Sequence, residues 1–201
     1  MNAAEARRGF YRQVAPGLEI RLFQPADAES VFALVEQNRD YLRAWLPWVD
    51  RTQSAEDVRQ FITQMVTPQW LDDRGPQCGI WVEGAIQGSI GCHPIDWQNR
   101  GCSIGYWVTA QRQGEGIVTR AVATMLDYLF GEVEVHRVVI QCGTGNHRSC
   151  AVPLRLGFTR EGVAREAEWV SGRWVDLVVW SLLKSEWRGA NLRNQRSTSP
   201  T

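Results

Sequence analysis

Short runs rich in β-branched and aromatic residues alternate along the chain with longer stretches whose apolar residues recur every three or four positions. The short runs predict strands at residues 18–23, 77–82, 86–93, 102–108, 137–142, 166–170 and 174–183. The longer stretches predict helices at residues 26–38, from Ser54 onward, at 116–130 and at 146–156. Turn residues such as Glu83-Gly84 separate the middle strands, so these strands are expected to form an antiparallel meander.

The order of these elements indicates one mixed α/β domain of the α+β type. Strands come first, and a series of strand, loop, helix, strand, helix and strand follows. We expect this domain at residues 18–187, after an N-terminal extension at 1–17 and before a polar tail at 188–201 that is predicted to be disordered. A length of 201 residues with a hydrophobic fraction of 44% suits a single packed core. The order of elements alone does not define a function.

Charge and hydropathy narrow the classes of function. The formal net charge is zero, so nothing global points to nucleic acid or to an anionic membrane surface. The N-terminus lacks the apolar core of a signal peptide, and no apolar run approaches the ~20 residues of a membrane span, so we expect a cytoplasmic protein. Lys184 is the only lysine, and the arginines suit phosphate binding, although the composition of the genome explains their number equally well.

The cysteines and histidines favour free thiols and no metal. The five cysteines are odd in number and form no C-x-x-C pair, which is typical of buried thiols in a reducing compartment. The histidines, His93, His136 and His147, lack metal-ligand spacing, so no metal is expected.

The segment at residues 104–117 is the most informative part of the chain. A predicted strand ends, a polar loop containing Gly114 and Gly116 follows, and a helix begins. Glycine lets backbone N–H groups approach an anion, and the helix dipole favours negative charge at that point. An ordinary turn before a helix explains two glycines at least as well. A P-loop would need a lysine that is missing, and a dinucleotide-binding fingerprint would need a third glycine.

The loop and several segments around it resemble a known family. Gln111-x-x-Gly114-x-Gly116 matches the Q/R-x-x-G-x-G/A signature of the GNAT acetyltransferases, and residues 18–187 resemble the RimJ/RimL branch of that superfamily. The segments that carry this second resemblance are Leu42-Arg43-Ala44-Trp45-Leu46-Pro47-Trp48, Ile104-Gly105-Tyr106-Trp107, Asn146-His147-Arg148-Ser149, Ala151-Val152-Pro153, Leu156-Gly157-Phe158, Glu161-Gly162, Asp176 and Lys184-Ser185-Glu186-Trp187.

The resemblance implies a mostly antiparallel mixed sheet that is splayed at its centre, with helices on both faces and acetyl-CoA as cosubstrate in the resulting V. It implies that the pantetheine arm pairs with the backbone near Trp107, Val108 and Thr109 like an added strand. It also implies that Asn146 approaches the coenzyme. The pyrophosphate is expected at the backbone of Gln113, Gly114, Glu115, Gly116, Ile117 and Val118. Glu115 brings a negative charge into this loop, so its side chain is expected to face solvent.

Branch members acetylate protein N-terminal amines, notably of ribosomal proteins, by direct transfer in a ternary complex. The acceptor expected here is therefore a protein N-terminus. A small amine or an antibiotic stays open as the acceptor, as do another acyl donor and a non-catalytic module that only holds CoA. The sequence does not decide the oligomeric state, and a homodimer stays open.

Ser149 is the candidate proton donor for the departing thiolate. It follows Asn146 by one helical turn, so both side chains can share one side of the helix start. Pro153 has no N–H, so the carbonyl of Ser149 loses its helical partner, and local loosening of the backbone is expected. From the residues alone, capping of the helix is the simpler explanation. The family pattern favours function.

Glu168 is the candidate general base, and Glu166 competes with it because the two share a face of the predicted strand. A carboxylate beside Trp169 can have a raised pKa, although a solvated carboxylate is equally plausible. Asp176 is expected to be structural or to orient the substrate.

The resemblance places Trp45, Pro47 and Trp48 over the acceptor side, so Trp45 and Trp48 are expected to line the acceptor groove, with core packing as the alternative. A covalent intermediate on Cys142 or Cys150 is not expected, because no histidine partner is evident.

Overall fold

The computed structural model describes residues 9–189, which fold into an eight-stranded sheet with helices on both faces. The strands are β1 (Tyr11–Ala15), β2 (Leu18–Leu22), β3 (Gln77–Val82), β4 (Ala85–Cys92), β5 (Gly101–Val108), β6 (Arg137–Gly143), β7 (Thr159–Val170) and β8 (Arg173–Leu183). The helices are α1 (Ala28–Gln37), α2 (Arg39–Arg43), α3 (Ala55–Phe61), α4 (Thr67–Leu71), α5 (Ile117–Gly131) and α6 (His147–Arg155).

The strands lie in the order β1-β2-β3-β4-β5-β6-β8-β7. The run from β2 to β5 is antiparallel throughout, which confirms the predicted meander. β1 lies within the predicted N-terminal extension and pairs with β2, so part of that segment forms the edge of the sheet. The predicted tail falls outside the described residues from position 190 onward.

The sheet divides at its centre, between β5 and β6. These two strands run parallel and pair only over Gly101–Ser103 and Arg137–Val139. Beyond that point β5 continues to Val108 while bonded to β4 on one edge, and β6 continues to Gly143 while bonded to β8. The opposite edges of the two strands therefore face each other across a gap, which confirms the splayed mixed sheet.

The helices agree with the apolar periodicity of the sequence, and their ends have local causes. Ser54 caps α3 by accepting a hydrogen bond from the N–H of Asp57 at 3.1 Å. α3 continues through a π-helical turn, Ile62–Val66, into α4. The face of α5 that carries Val122, Met125 and Leu129 is fully buried against the sheet.

The sequence prediction placed the start of β7 seven residues late, at 166 rather than at Thr159. The strand lies at the edge of the sheet, and most of its first nine side chains are exposed, so its sequence has no apolar alternation. Its partner β8 is largely buried and was predicted to within one residue.

All five cysteines are free thiols, and only Cys150 is not fully buried. Within residues 9–189, no helix combines the length and the apolar composition that a membrane crossing requires.

Candidate active site

A cavity of about 760 Å³ occupies the gap between the diverging strands. Its walls come from the end of β5, the loop before α5, the start of α6, and α2 with the residues that follow it. The residues that line it are Tyr41, Leu42, Trp45, Leu46, Tyr106, Trp107, Val108, Arg112, Gln113, Gly114, Glu115, Gly116, Ile117, Val118, Thr119, Arg120, Asn146, Arg148, Ser149, Val152 and Arg155. The structure thus brings most of the predicted coenzyme residues together with Ser149 and Trp45.

The loop between β5 and α5 requires glycine at both of its signature positions. Gly114 has φ +82° and Gly116 has φ +72°, a left-handed conformation that costs an L side chain energy. A Cβ atom at either position would meet no protein atom within 4 Å. The space over this backbone is therefore open to a ligand.

The start of α5 has amide groups to offer to that ligand. The N–H of Arg120 donates to the carbonyl of Gly116 at 3.0 Å and so completes the first helical turn. The amides of Ile117, Val118 and Thr119 precede this bond and have no carbonyl partner within the helix. Together with the helix dipole they make a site for a phosphate group.

Arginine side chains add positive charge around the cavity, and the sequence analysis did not assign them to the site. They are Arg112, Arg120, Arg148 and Arg155. Their positions on three different elements could not be deduced from arginine content alone. Glu115 is exposed, as expected, and its carboxylate lies 3.4 Å from Arg112. The negative charge in the loop is therefore offset by a neighbour.

Gln113 connects the phosphate loop to both sides of the cavity. Its side-chain N–H donates to the hydroxyl of Tyr41 on α2, and its carbonyl accepts from the guanidinium of Arg148 on α6. Its backbone N–H donates to Ala110 over a long 3.4 Å bond. Gln113 is thus placed to hold the walls of the cavity together through its side chain.

Trp107 and Val108 line the cavity on the edge of β5 that faces β6, which suits pairing with an extended ligand. Thr109 does not line it. Its N–H donates to the carbonyl of Gln87 at 2.9 Å, and its carbonyl accepts from Arg112 at 3.1 Å. Both of its backbone groups are engaged within the protein, and β5 ends one residue earlier, at Val108.

Asn146 and Ser149 lie at the start of α6, and their contacts show which of the two side chains caps the helix. Asn146 caps the helix, because its side-chain oxygen accepts from the N–H of Ser149 at 3.1 Å. The hydroxyl of Ser149 takes no part in the cap. It lies 3.3 Å from the sulfur of Cys142 and 3.4 Å from the hydroxyl of Tyr106, and it faces the cavity.

Cys142 is a poor nucleophile in this environment. Burial raises the pKa of its thiol to about 11, so the thiol stays protonated near neutral pH. The thiol of Cys150 does not line the cavity and donates to the carbonyl of Gly143 at 3.8 Å. The buried, protonated thiol of Cys142 gives no support to a covalent enzyme intermediate.

Trp45 and Trp48 lie in different places. A Cβ at Gly143 would lie 3.0 Å from the ring of Trp45, and one at Gly145 would lie 3.2 Å from it, so the ring rests on the backbone at the end of β6. The guanidinium of Arg173, near the tip of the β7–β8 hairpin, lies 5.7 Å from the same ring. Trp48 packs instead against Trp107, at 6.1 Å between ring centroids, and does not line the cavity.

Glu168 faces the same region from β7. It pairs with Val175 of β8, and cross-strand partners share a face of the sheet. A methyl carbon of Val175 lies 3.3 Å from the point that a Cβ on Gly143 would occupy. The ring of Trp45 packs against the same point. Glu168 is half-buried, and burial raises its pKa above the ordinary value for a glutamate. It does not line the cavity itself.

Glu166 does not share the environment of Glu168, because Glu166 lies in a bulge that ends just before Glu168. Residues 165–167 of β7 stand opposite the single residue Asp176 of β8. Glu166 has φ +49°, and its N–H donates to the carboxylate of Asp176 at 2.8 Å. The expected alternation of side chains is therefore interrupted. Asp176 has the structural role of holding this bulge.

The Acetyltransferase (GNAT) domain family matches residues 17–159 of this chain. The chain belongs to the GNAT acetyltransferases. Its sequence is 39% identical over 180 residues to the ribosomal N-acetyltransferase candidate YdaF of Bacillus subtilis (strain 168), an alignment that covers 90% of this chain and 98% of YdaF.

Two further relatives carry names that state an activity. The ribosomal-protein-serine acetyltransferase of Escherichia coli (strain K12) is 29% identical over 171 residues, which is 84% of this chain and 94% of that protein. A solved structure of RimL, a ribosomal L7/L12 alpha-N-protein acetyltransferase, in complex with coenzyme A, has a TM-score of 0.83 at 25% identity and covers 87% of this chain and 98% of RimL.

This GNAT protein is an acyl-CoA-dependent N-acetyltransferase that moves an acetyl group from acetyl-CoA to an amine. The open backbone at the glycines, the amides of α5 and the arginines suit the phosphates of that cosubstrate. The part of the chain that the structure describes holds no group of three or more His, Cys, Asp or Glu side chains that could bind a metal ion.

Proposed function

We propose that this acetyltransferase acts on the α-amine of a protein N-terminus, of the kind that ribosomal proteins present, by direct attack in a ternary complex. The names of the Escherichia coli relative and of RimL support this class of acceptor. The observation that carries the proposal is the set of residues around Ser149 and Gly143. Ser149 and Trp45 line the cavity, and Trp45 packs on Gly143 beside Val175, whose cross-strand partner is the half-buried Glu168.

Glu168 serves as the general base in this proposal, directly or through one water. An α-amine has a reference pKa of ~7.7–8, whereas a lysine amine has one of ~10.4, so an appreciable share of α-amine is neutral near pH 7. Only a modest base is then needed to take the proton that the nitrogen releases as it attacks. A carboxylate whose pKa is raised by burial matches that task better than an ordinary glutamate.

Ser149 serves as the acid. The amine nitrogen forms a bond to the acetyl carbonyl carbon, and the bond from that carbon to the CoA sulfur breaks. The sulfur leaves with the electron pair and takes a proton from the hydroxyl of Ser149. The serine then regains a proton from solvent or from the amine through water. The neighbours of that hydroxyl, Cys142 and Tyr106, keep it at the wall of the cavity.

Trp45 forms the acceptor side of the site. Its ring is held between the backbone of Gly143 and Arg173 of the β7–β8 hairpin. The hydroxyl of Ser171, at the hairpin tip, donates to the carbonyl of Arg43 at 2.6 Å and so fixes the hairpin to α2.

A ribosomal protein as acceptor would place the reaction in the cytoplasm, where ribosomal proteins are made. A homodimer is compatible with this function and is not required by it.

The test compares acceptors at a fixed concentration of acetyl-CoA. One peptide has a free α-amine and no lysine, a second has a blocked N-terminus and one lysine, and small polyamines complete the panel. CoA release is followed, and the acetylated atom is located by mass spectrometry. We expect turnover on the first peptide. Turnover confined to the polyamines would replace the proposal with a small-amine acetyltransferase, and tight CoA binding without turnover on any amine would replace it with a CoA-binding module.

A further inference from the structure

The carbonyl of Ser149 has no backbone partner available within α6. In an α-helix this oxygen would accept from the N–H four residues later, and that residue is Pro153, which has none. An unpaired carbonyl at a partly buried position costs free energy. The sequence alone therefore predicts a loosened backbone at Ser149.

The structure supplies a different partner. The hydroxyl of Tyr106 donates to the Ser149 carbonyl at 3.0 Å. Burial holds the pKa of this phenol well above its usual range, so it keeps its proton and remains a donor at any working pH. A phenol has one proton, and here that proton goes to the carbonyl. Towards the hydroxyl of Ser149, which lies 3.4 Å away, the Tyr106 oxygen can therefore act only as an acceptor. A side chain therefore replaces the missing amide as the hydrogen-bond partner of this carbonyl.

Tyr106 and Ser149 stand on opposite walls of the gap in the sheet. Tyr106 lies on β5, three residues beyond Ser103, where pairing with β6 ends. Cys142 lies equally far beyond Val139 on β6, and its sulfur is 3.9 Å from the Tyr106 hydroxyl. No ladder of backbone hydrogen bonds joins the two strands at this level. The tyrosine hydroxyl thus connects the β5 wall to α6 where the strands have separated.

We propose that Tyr106 is a positioning residue that sets the place of the Ser149 hydroxyl relative to β5, and that Pro153 makes this bond possible by leaving the Ser149 carbonyl without a helical partner. This inference rests on the proposed role of Ser149 as the acid. With an ordinary residue at 153, the carbonyl would be satisfied within the helix, and α6 would be free to shift away from β5. The proline and the tyrosine therefore act as a pair, although they are distant in sequence.

The test is a double-mutant cycle with Tyr106→Phe and Pro153→Ala. The phenylalanine removes only the hydroxyl, and the alanine restores an N–H that can reach the Ser149 carbonyl. We expect Tyr106→Phe to lower kcat about 10-fold, equivalent to ~1.4 kcal/mol, while calorimetry shows the Kd of acetyl-CoA changed by less than about twofold. Pro153→Ala should itself lower kcat, because the restored N–H competes with Tyr106 for the Ser149 carbonyl. Adding Tyr106→Phe should then cost little more, so the double variant should turn over within about threefold of Pro153→Ala alone.

Each outcome has one meaning. Full turnover by Ser149→Ala would overturn the acid role of Ser149, and with it the basis of this inference. With Ser149→Ala slow, the inference about Tyr106 is overturned if Tyr106→Phe turns over like the wild type, or if it lowers kcat by the same factor in the Pro153→Ala background as in the wild type. A second measurement covers a double variant that fails to fold. The carbonyl ¹³C resonance of Ser149 should move in Tyr106→Phe, and an unchanged resonance would also overturn the inference.

Discussion

Replacing Gly116 with valine tests whether the loop before α5 holds the phosphates of acetyl-CoA. Gly116 has φ +72°, and valine in this left-handed region costs about 1–2 kcal/mol in strain. A Cβ there meets no protein atom within 4 Å, so crowding within the protein adds nothing. Since a domain is stable by about 5–15 kcal/mol, the variant should fold, with a melting temperature lower by about 2–8 °C.

The loss of binding should exceed the loss of stability. The valine methyl groups would occupy the open space above the amides, where an anion must come within hydrogen-bond distance. One hydrogen bond to a charged group is worth about 1.5–3 kcal/mol. Losing one should weaken acetyl-CoA binding at least ~10-fold, since each factor of ten is about 1.4 kcal/mol. Isothermal titration calorimetry measures this directly.

Gly84 provides a matched control. It has φ +76°, a Cβ added to it would likewise meet no protein atom within 4 Å, and it lies in the β3–β4 turn away from the cavity lining. Gly84→Val should lower the melting temperature by a similar amount and leave the Kd of acetyl-CoA within about twofold of wild type. If Gly116→Val binds acetyl-CoA as tightly as Gly84→Val does, the loop does not hold the phosphates.

Two further predictions concern titrating groups. Glu168→Gln should lower turnover, and because burial raises the pKa of Glu168, wild-type activity should fall as the pH drops through a value above the ordinary one for glutamate. In the variant the loss should shrink above pH ~7.7–8 for an α-amine acceptor and only near ~10 for a lysine. A uniform loss would mean that Glu168 positions the acceptor, and no loss would move suspicion to Glu166. Glu161, bound by Arg137 and Ser181, has its pKa lowered to about 2, so its contribution to stability is complete above the unfolded value of ~4.5 and is lost as the pH falls towards 2. Glu161→Gln should therefore lower the melting temperature at pH 7, by an amount that salt reduces and that fades at low pH. An equal difference at pH 7 and pH 2.5 would contradict this.

The parts of the site that were predictable from sequence are those that depend on local chemistry. Gly114 and Gly116 are needed wherever this loop forms, because only glycine adopts their backbone without strain. Asn146 and Ser149 lie one turn apart, so any helix at this place brings them to one side. The family signature added the ligand, which the two glycines could not specify.

The parts that escaped prediction depend on contacts between distant segments. Tyr106 and Ser149 are 43 positions apart, and nothing in either segment indicates their bond. The bulge that separates Glu166 from Glu168 is visible only in the pairing of β7 with β8, because Asp176 holds the N–H of Glu166. Arginine content likewise could not show which arginines surround the cavity.

Four departures from regular structure lie at or beside the cavity. Two glycines with positive φ begin α5, a proline interrupts the bonding of α6, a bulge breaks β7 beside Glu168, and β5 leaves β6. Each departure costs stability, because it removes a regular hydrogen bond or holds the backbone in a rare conformation. Three of them also provide what the proposed site requires: amides for a phosphate, an edge for an extended arm, and a carbonyl through which Tyr106 holds the proposed acid, Ser149. The buried helix α5 and the antiparallel β2–β5 meander provide the packing that offsets these costs.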